Sequence, residues 1–121
     1  MKIIKINEVS KEPYSIPLFT GADVTSQSLV SDRDSKDLRV SIVNFGKGVR
    51  NKYHMHDGDQ VLIIITGKGL VATENEKKVV TVGEVVLFPA GEKHWHGATK
   101  DSEFSHIVVT RTGVKLTQLE E

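Results

Sequence analysis

The stretch QVLIIITGKGLVATENEKKVVTVGEVVLFPAG, residues 60–91, decides the fold class. It is a series of short apolar runs, each stopped by a turn signal. Residues 60–66 end at Gly67-Lys68-Gly69. Residues 70–73 and 78–82 flank Glu74-Asn75-Glu76-Lys77, a hairpin turn. Residues 84–88 end at Pro89-Ala90-Gly91. Runs of this length at this spacing predict strands of a sandwich or barrel. Working outward, residues 38–45 form another run, closed by Gly46-Lys47-Gly48. Residues 104–111 and 115–119 supply two more. No segment of ten residues or more carries a 3.6-residue apolar stripe. Val, Ile and Thr make up 34 of 121 residues and Ala only four, which favours pleated sheet over helix.

The first 37 residues are less regular. Residues 2–7 read as a short strand. Pro13 and Pro17 bracket a turn or extended segment. Residues 24–30 read as a polar edge strand, and 31–37 as a solvated loop. With no repeat, linker or low-complexity tract, a single domain over 1–121 is expected, long enough to bury roughly two thirds of its unfolded surface.

Sixteen basic and sixteen acidic residues cancel. A neutral chain is a poor fit to nucleic acid or an anionic membrane surface, both of which select for positive charge. Without cysteine there is no disulfide, thiolate metal site or cysteine nucleophile. The start lacks a signal-like apolar run, and no stretch approaches a membrane helix, so a soluble, cytoplasmic protein is expected.

The chemistry lies in five histidines, all beyond residue 53. Four form two His-x-His pairs, His54-Met55-His56 and His94-Trp95-His96. On a strand, residues two apart share a face, so each pair aims two imidazoles into one cavity. Imidazole is the commonest ligand of divalent transition metals. One such pair is weak evidence of a metal; two in a chain of five histidines are not explained by exposed structural roles. Trp95, Met55 and Tyr53 have packing roles by parity. Asp57 and Asp59 read as solvated loop residues rather than partners of the imidazoles.

The flanking residues carry a resemblance. Gly48, His54, His56, Gln60 and Gly67 in the first cluster, and Gly83, Pro89, Gly91 and His94 in the second, resemble the two motifs of the cupin family. The likeness covers residues 38–110 best and says little of 1–37. It implies an all-β, single-domain fold, a double-stranded β-helix or jelly-roll-like barrel, with a metal at its centre. Two positions depart from the family: Gln60 stands where glutamate is usual, and Ala98 where asparagine is. Residues 91–98, with Gln60 and His106, are similar to a narrower group of small bacterial cupins. That group includes manganese-dependent hydroxynitrile lyases and carboxymuconolactone decarboxylase-like proteins.

This resemblance implies His54, His56, Gln60 and His94 as metal ligands, and His96 and His106 as the proton-moving residues. Three imidazoles and one amide are neutral, so the ion keeps its full charge as a Lewis acid. Manganese or iron suits the set, and nickel, copper, cobalt or zinc is also accepted by nitrogen donors. The expected function is metal-dependent chemistry on a small organic substrate, such as hydroxynitrile lyase-like cleavage or formation of a C–C bond. The alternatives are a dioxygenase and a non-catalytic cupin that binds metal and a small molecule. Residues 61–65 and 85–88 are apolar on both faces, so one face needs a second sheet or another subunit, and a homodimer is expected.

Overall fold

The computed structural model describes residues 1–121 and holds ten strands. They are β1 (Glu12–Pro13), β2 (Val24–Val30), β3 (Leu38–Phe45), β4 (His54–His56), β5 (Gln60–Thr73), β6 (Lys77–Thr81), β7 (Val85–Phe88), β8 (His94–Ala98), β9 (Phe104–Arg111) and β10 (Leu116–Gln118). The sheet order is β1-β2-β3-β9-β5-β8-β4-β10, with β6 and β7 each paired to β5. The expected strands at 24–30, 38–45 and 104–111 stand at those bounds.

β5 serves both halves of the barrel. Its first part pairs with β7 and β9, its second with β6 and β8. The sequence predicts a break at Gly67-Lys68-Gly69; instead the chain stays extended and bends. The ladder to β9 shifts register between Ile64 and Thr66. Gly67 follows at φ +71°. That left-handed conformation suits glycine, and a bulge turns a strand without ending it. One long strand thus replaces two short ones and crosses from one half to the other.

The curl brings alternate residues of facing strands together. Phe45, Leu62, Ile64, Phe88 and Phe104 form the apolar floor with Val24 and Val43. Phe45 and Phe104 lie directly opposite across β3 and β9, ring centroids 5.9 Å apart. Each such buried side chain contributes about 2–3 kcal/mol relative to exposure. Above this floor the same inward positions become polar.

The expected strand at residues 2–7 does not form. A single 3-10 turn, Ile6–Glu8, stands there. No neighbouring strand offers a ladder; the Gln27 side-chain amide instead donates to the carbonyls of Ile6 and Val9, at 3.4 and 3.0 Å. The segment lies beside Ile42, which is only 1% exposed despite its outward parity. On the other outer face, Val85 and Leu87 are 64% and 57% exposed. No helix is long and apolar enough to cross a membrane.

Candidate metal centre

The two His-x-His pairs meet because β4 and β8 pair through a single register position, His54 opposite His94. His54, His56 and His94 are all buried, and one ring nitrogen of each lies within 4.8 Å of the others. Gln60, at the start of β5 and also buried, places its Oε1 3.1 Å from His94 Nε2.

Two short bonds fix the imidazoles. His54 Nδ1–H donates to the Lys52 carbonyl at 2.6 Å, and His94 Nδ1–H to the Glu92 carbonyl at 2.8 Å. A carbonyl can only accept, so each ring carries its proton on Nδ1 and leaves Nε2 as a lone pair. Burial pushes His94 down to about 3, so it does not take a second proton near neutrality. His94 Nε2 and Gln60 Oε1 therefore bring two lone pairs together, which favours a cation between them. Burial, followed by the His54 charge, lowers His56 to about 4, and burial also lowers His54. Neutral imidazoles aimed inward, with an amide oxygen beside them, fit a divalent transition ion.

His96 and His106 form a second unit. The backbone N–H of His96 donates to Asn51 Oδ1 at 2.8 Å, which orients the Asn51 amide. Its Nδ2 then donates to His96 Nε2 at 3.1 Å. His96 is left with its proton on Nδ1, facing His106 Nε2 at 3.2 Å. Both rings lie well below their ordinary range through burial, His106 at about 3. Asn51 was invisible to strand parity because it sits in a loop. That loop closes on β8 at Gly97, where any Cβ would overlap the Arg50 backbone.

A cavity of about 290 Å³ reaches this centre. Its wall includes His54, His56, Gln60 and His96. His94 lies behind, stacked on Phe88 with centroids 3.8 Å apart. His106 also lies behind, fully buried beside Phe45 and Phe104. Thus the structure gathers all six candidate residues, but His106 reaches the cavity through His96 rather than directly.

The neighbours behave as their parity indicates. Trp95 turns outward under the Arg50 guanidinium, 4.6 Å from the ring centroid. Asp57 is taken up by Arg111 at 2.9 Å and the Lys115 N–H at 2.8 Å, and Asp59 by the Ala90 N–H at 2.9 Å. These carboxylates brace loops around the centre.

Comparison with known proteins agrees with this architecture. The family described as Cupin domain matches residues 41–110. Over 110 residues the chain is 37% identical to an (R)-mandelonitrile lyase of Granulicella tundricola, covering 90% of this chain and 83% of that one. Over 77 residues it is 31% identical to the pectin degradation protein KdgF of Dickeya dadantii, covering 63% and 68%. A solved cupin-like protein of Thermotoga maritima superposes with a TM-score of 0.85 at 30% identity, covering 94% of this chain and 89% of that one.

Proposed function

The chain belongs to the cupin family, and from that premise we propose that it is a metal-dependent enzyme that makes or breaks a C–C bond beside an oxygen of a small organic substrate. The observation that carries this reading is the meeting of neutral lone pairs on His94 and Gln60 beside His54 and His56, where Gln60, His54 and His56 line a cavity sized for a small molecule and His94 backs them. The likeness to a mandelonitrile lyase supports the reaction class.

His54, His56, Gln60 and His94 would hold the ion, with manganese or iron the preferred occupant. A bound ion supplies Lewis acidity, stabilising negative charge on a substrate oxygen. His96 faces the cavity, and its Nε2 is where a proton would be taken up, in place of the Asn51 bond. His106, behind it, accepts from His96 Nδ1–H and keeps the ring oriented. Phe45 packs against His96 and Phe88 stacks on His94, which gives each ring an apolar backing.

The test is Gln60→Glu. The carboxylate keeps an oxygen ligand but places a negative charge on the ion, so metal content should hold or rise. Turnover should fall by about tenfold or more, because the charge that stabilises the anionic transition state is partly cancelled. The measurement is kcat for mandelonitrile cleavage by wild type and variant at matched metal occupancy. An equal or higher kcat in the variant would defeat the Lewis-acid mechanism and favour redox chemistry.

The second proposal is a homodimer. β6 and β7 each pair only with β5, leaving a free edge on both. Val79, Val82, Val85 and Leu87 on and between them are all more than half exposed. Unpaired edges beside apolar side chains are a liability that a second copy removes by self-complementary packing. Light scattering should give about twice the 13.4 kDa chain mass at micromolar concentration. A stable monomer there rules the dimer out.

A further inference from the structure

The cavity wall carries one formally charged side chain, Arg39. An arginine on the inward parity of a barrel strand needs a reason, because β3 otherwise turns Ser41, Val43 and Phe45 to the same side. Its position is informative. Arg39 lies opposite Thr110 on β9. On the far side of β9, Val109 lies opposite Val61, so the next antiparallel step sets Thr110 beside Gln60. Arg39, Thr110 and Gln60 therefore form one row across three strands, roughly 10 Å from end to end at the usual strand spacing. Arg39 and Gln60 thus line the same cavity from strands two apart in the sheet.

Arg39 is poorly engaged within the chain. Its one polar contact is Nη2 to Asp32 Oδ1 at 3.5 Å, and the Asp32 side chain is 64% exposed. That is a weak, solvent-screened pair. A guanidinium has five N–H donors in a planar fork that matches a carboxylate, and most of these are free. Ser28 and Ser41, directly opposite each other on β2 and β3, add hydroxyls to the wall below it. Arginine over a cavity of neutral imidazoles gives the pocket a net positive field with no carboxylate in its wall.

We propose that Arg39 is an anion subsite that takes the carboxylate of the substrate while a hydroxyl or carbonyl oxygen of the same molecule lies at the histidine cluster. The substrate class is then a small hydroxy- or oxo-carboxylic acid, for which neutral mandelonitrile serves only as a surrogate in the turnover assay. The placement of the second oxygen rests on the metal-centre reading above; the carboxylate subsite does not.

The experiment is calorimetric binding of mandelate and of mandelamide, its neutral near-isostere, to the full chain, metal-free and manganese-loaded. Wild type should bind mandelate at least ten times more tightly than mandelamide in both forms, with the preference weakening as salt rises. Arg39→Gln should bring the two ligands to within about twofold, with metal content and melting temperature unchanged. Arg39→Lys should keep part of the preference, since the charge survives and the fork does not. Two results would overturn the subsite: no preference in wild type, or a preference that survives in Arg39→Gln. A preference that survives only in the manganese-loaded variant would put the carboxylate on the metal, which supports the metal centre while removing Arg39. Conversely, a chain that binds no metal but loses its mandelate preference in Arg39→Gln keeps the subsite and loses the metal reading.

Discussion

Alanine in place of His54 or of His94 should strip the metal and abolish mandelonitrile turnover together. Each substitution deletes one neutral nitrogen from the proposed set of four donors. Disturbing even the hydrogen-bond partners of a metal ligand typically costs 10–100-fold in affinity, so losing the ligand itself should cost about a hundredfold or more. His94→Ala should be the more severe, because it also opens a void against the Phe88 ring. Met55→Ala is the control: Met55 lies between two buried histidines with opposite parity and is only half-buried. It should retain its metal. Elemental analysis of the purified variants checks all three, and full occupancy in His54→Ala or His94→Ala would remove that residue from the ligand set.

Gly67→Ala should produce the largest loss of stability. Gly67 has φ +71°, where an L-residue pays about 1–2 kcal/mol. An added Cβ would also overlap the Glu103 carbonyl oxygen, a backbone atom that cannot step aside alone. Overpacking of this kind costs about 1–3 kcal/mol more. The sum, about 3 kcal/mol or more, is a large share of the stability of a small domain. Urea unfolding should show the drop as a lower midpoint, or the variant should accumulate in insoluble form. A loss below about 1 kcal/mol would mean that β5 does not need this bend.

The strands were legible wherever a run was bounded by residues with one conformational meaning. Leu38–Phe45 ends at Gly46-Lys47-Gly48, and Phe104–Arg111 is framed by polar turns. Both histidine pairs were legible by parity alone, since a period of two puts His54 and His56, or His94 and His96, on one face. The bend in β5 was not, because Gly-Lys-Gly reads equally well as a stop or as a bulge. The choice is made by β8 and β6, which lie elsewhere in the chain and continue the ladder. Residues 2–7 have strand-like composition but no partner edge. Arg39 was within reach of parity, two positions before Ser41 and four before Val43 on one inward face. Asn51 was not: its role comes from a loop folding back over Gly97, which sets Asn51 against His96, 45 positions away.

The bonds that aim His54 and His94 end on the carbonyls of Lys52 and Glu92, each two residues back along the same chain. A main-chain carbonyl is present whatever side chain occupies that position. Orientation of these imidazoles is therefore immune to substitution at Lys52 or Glu92, provided the local backbone path is kept. The side chains at these two positions are free to change without turning the rings. A lineage can thus rewrite this part of the surface while the imidazoles beneath it stay aimed.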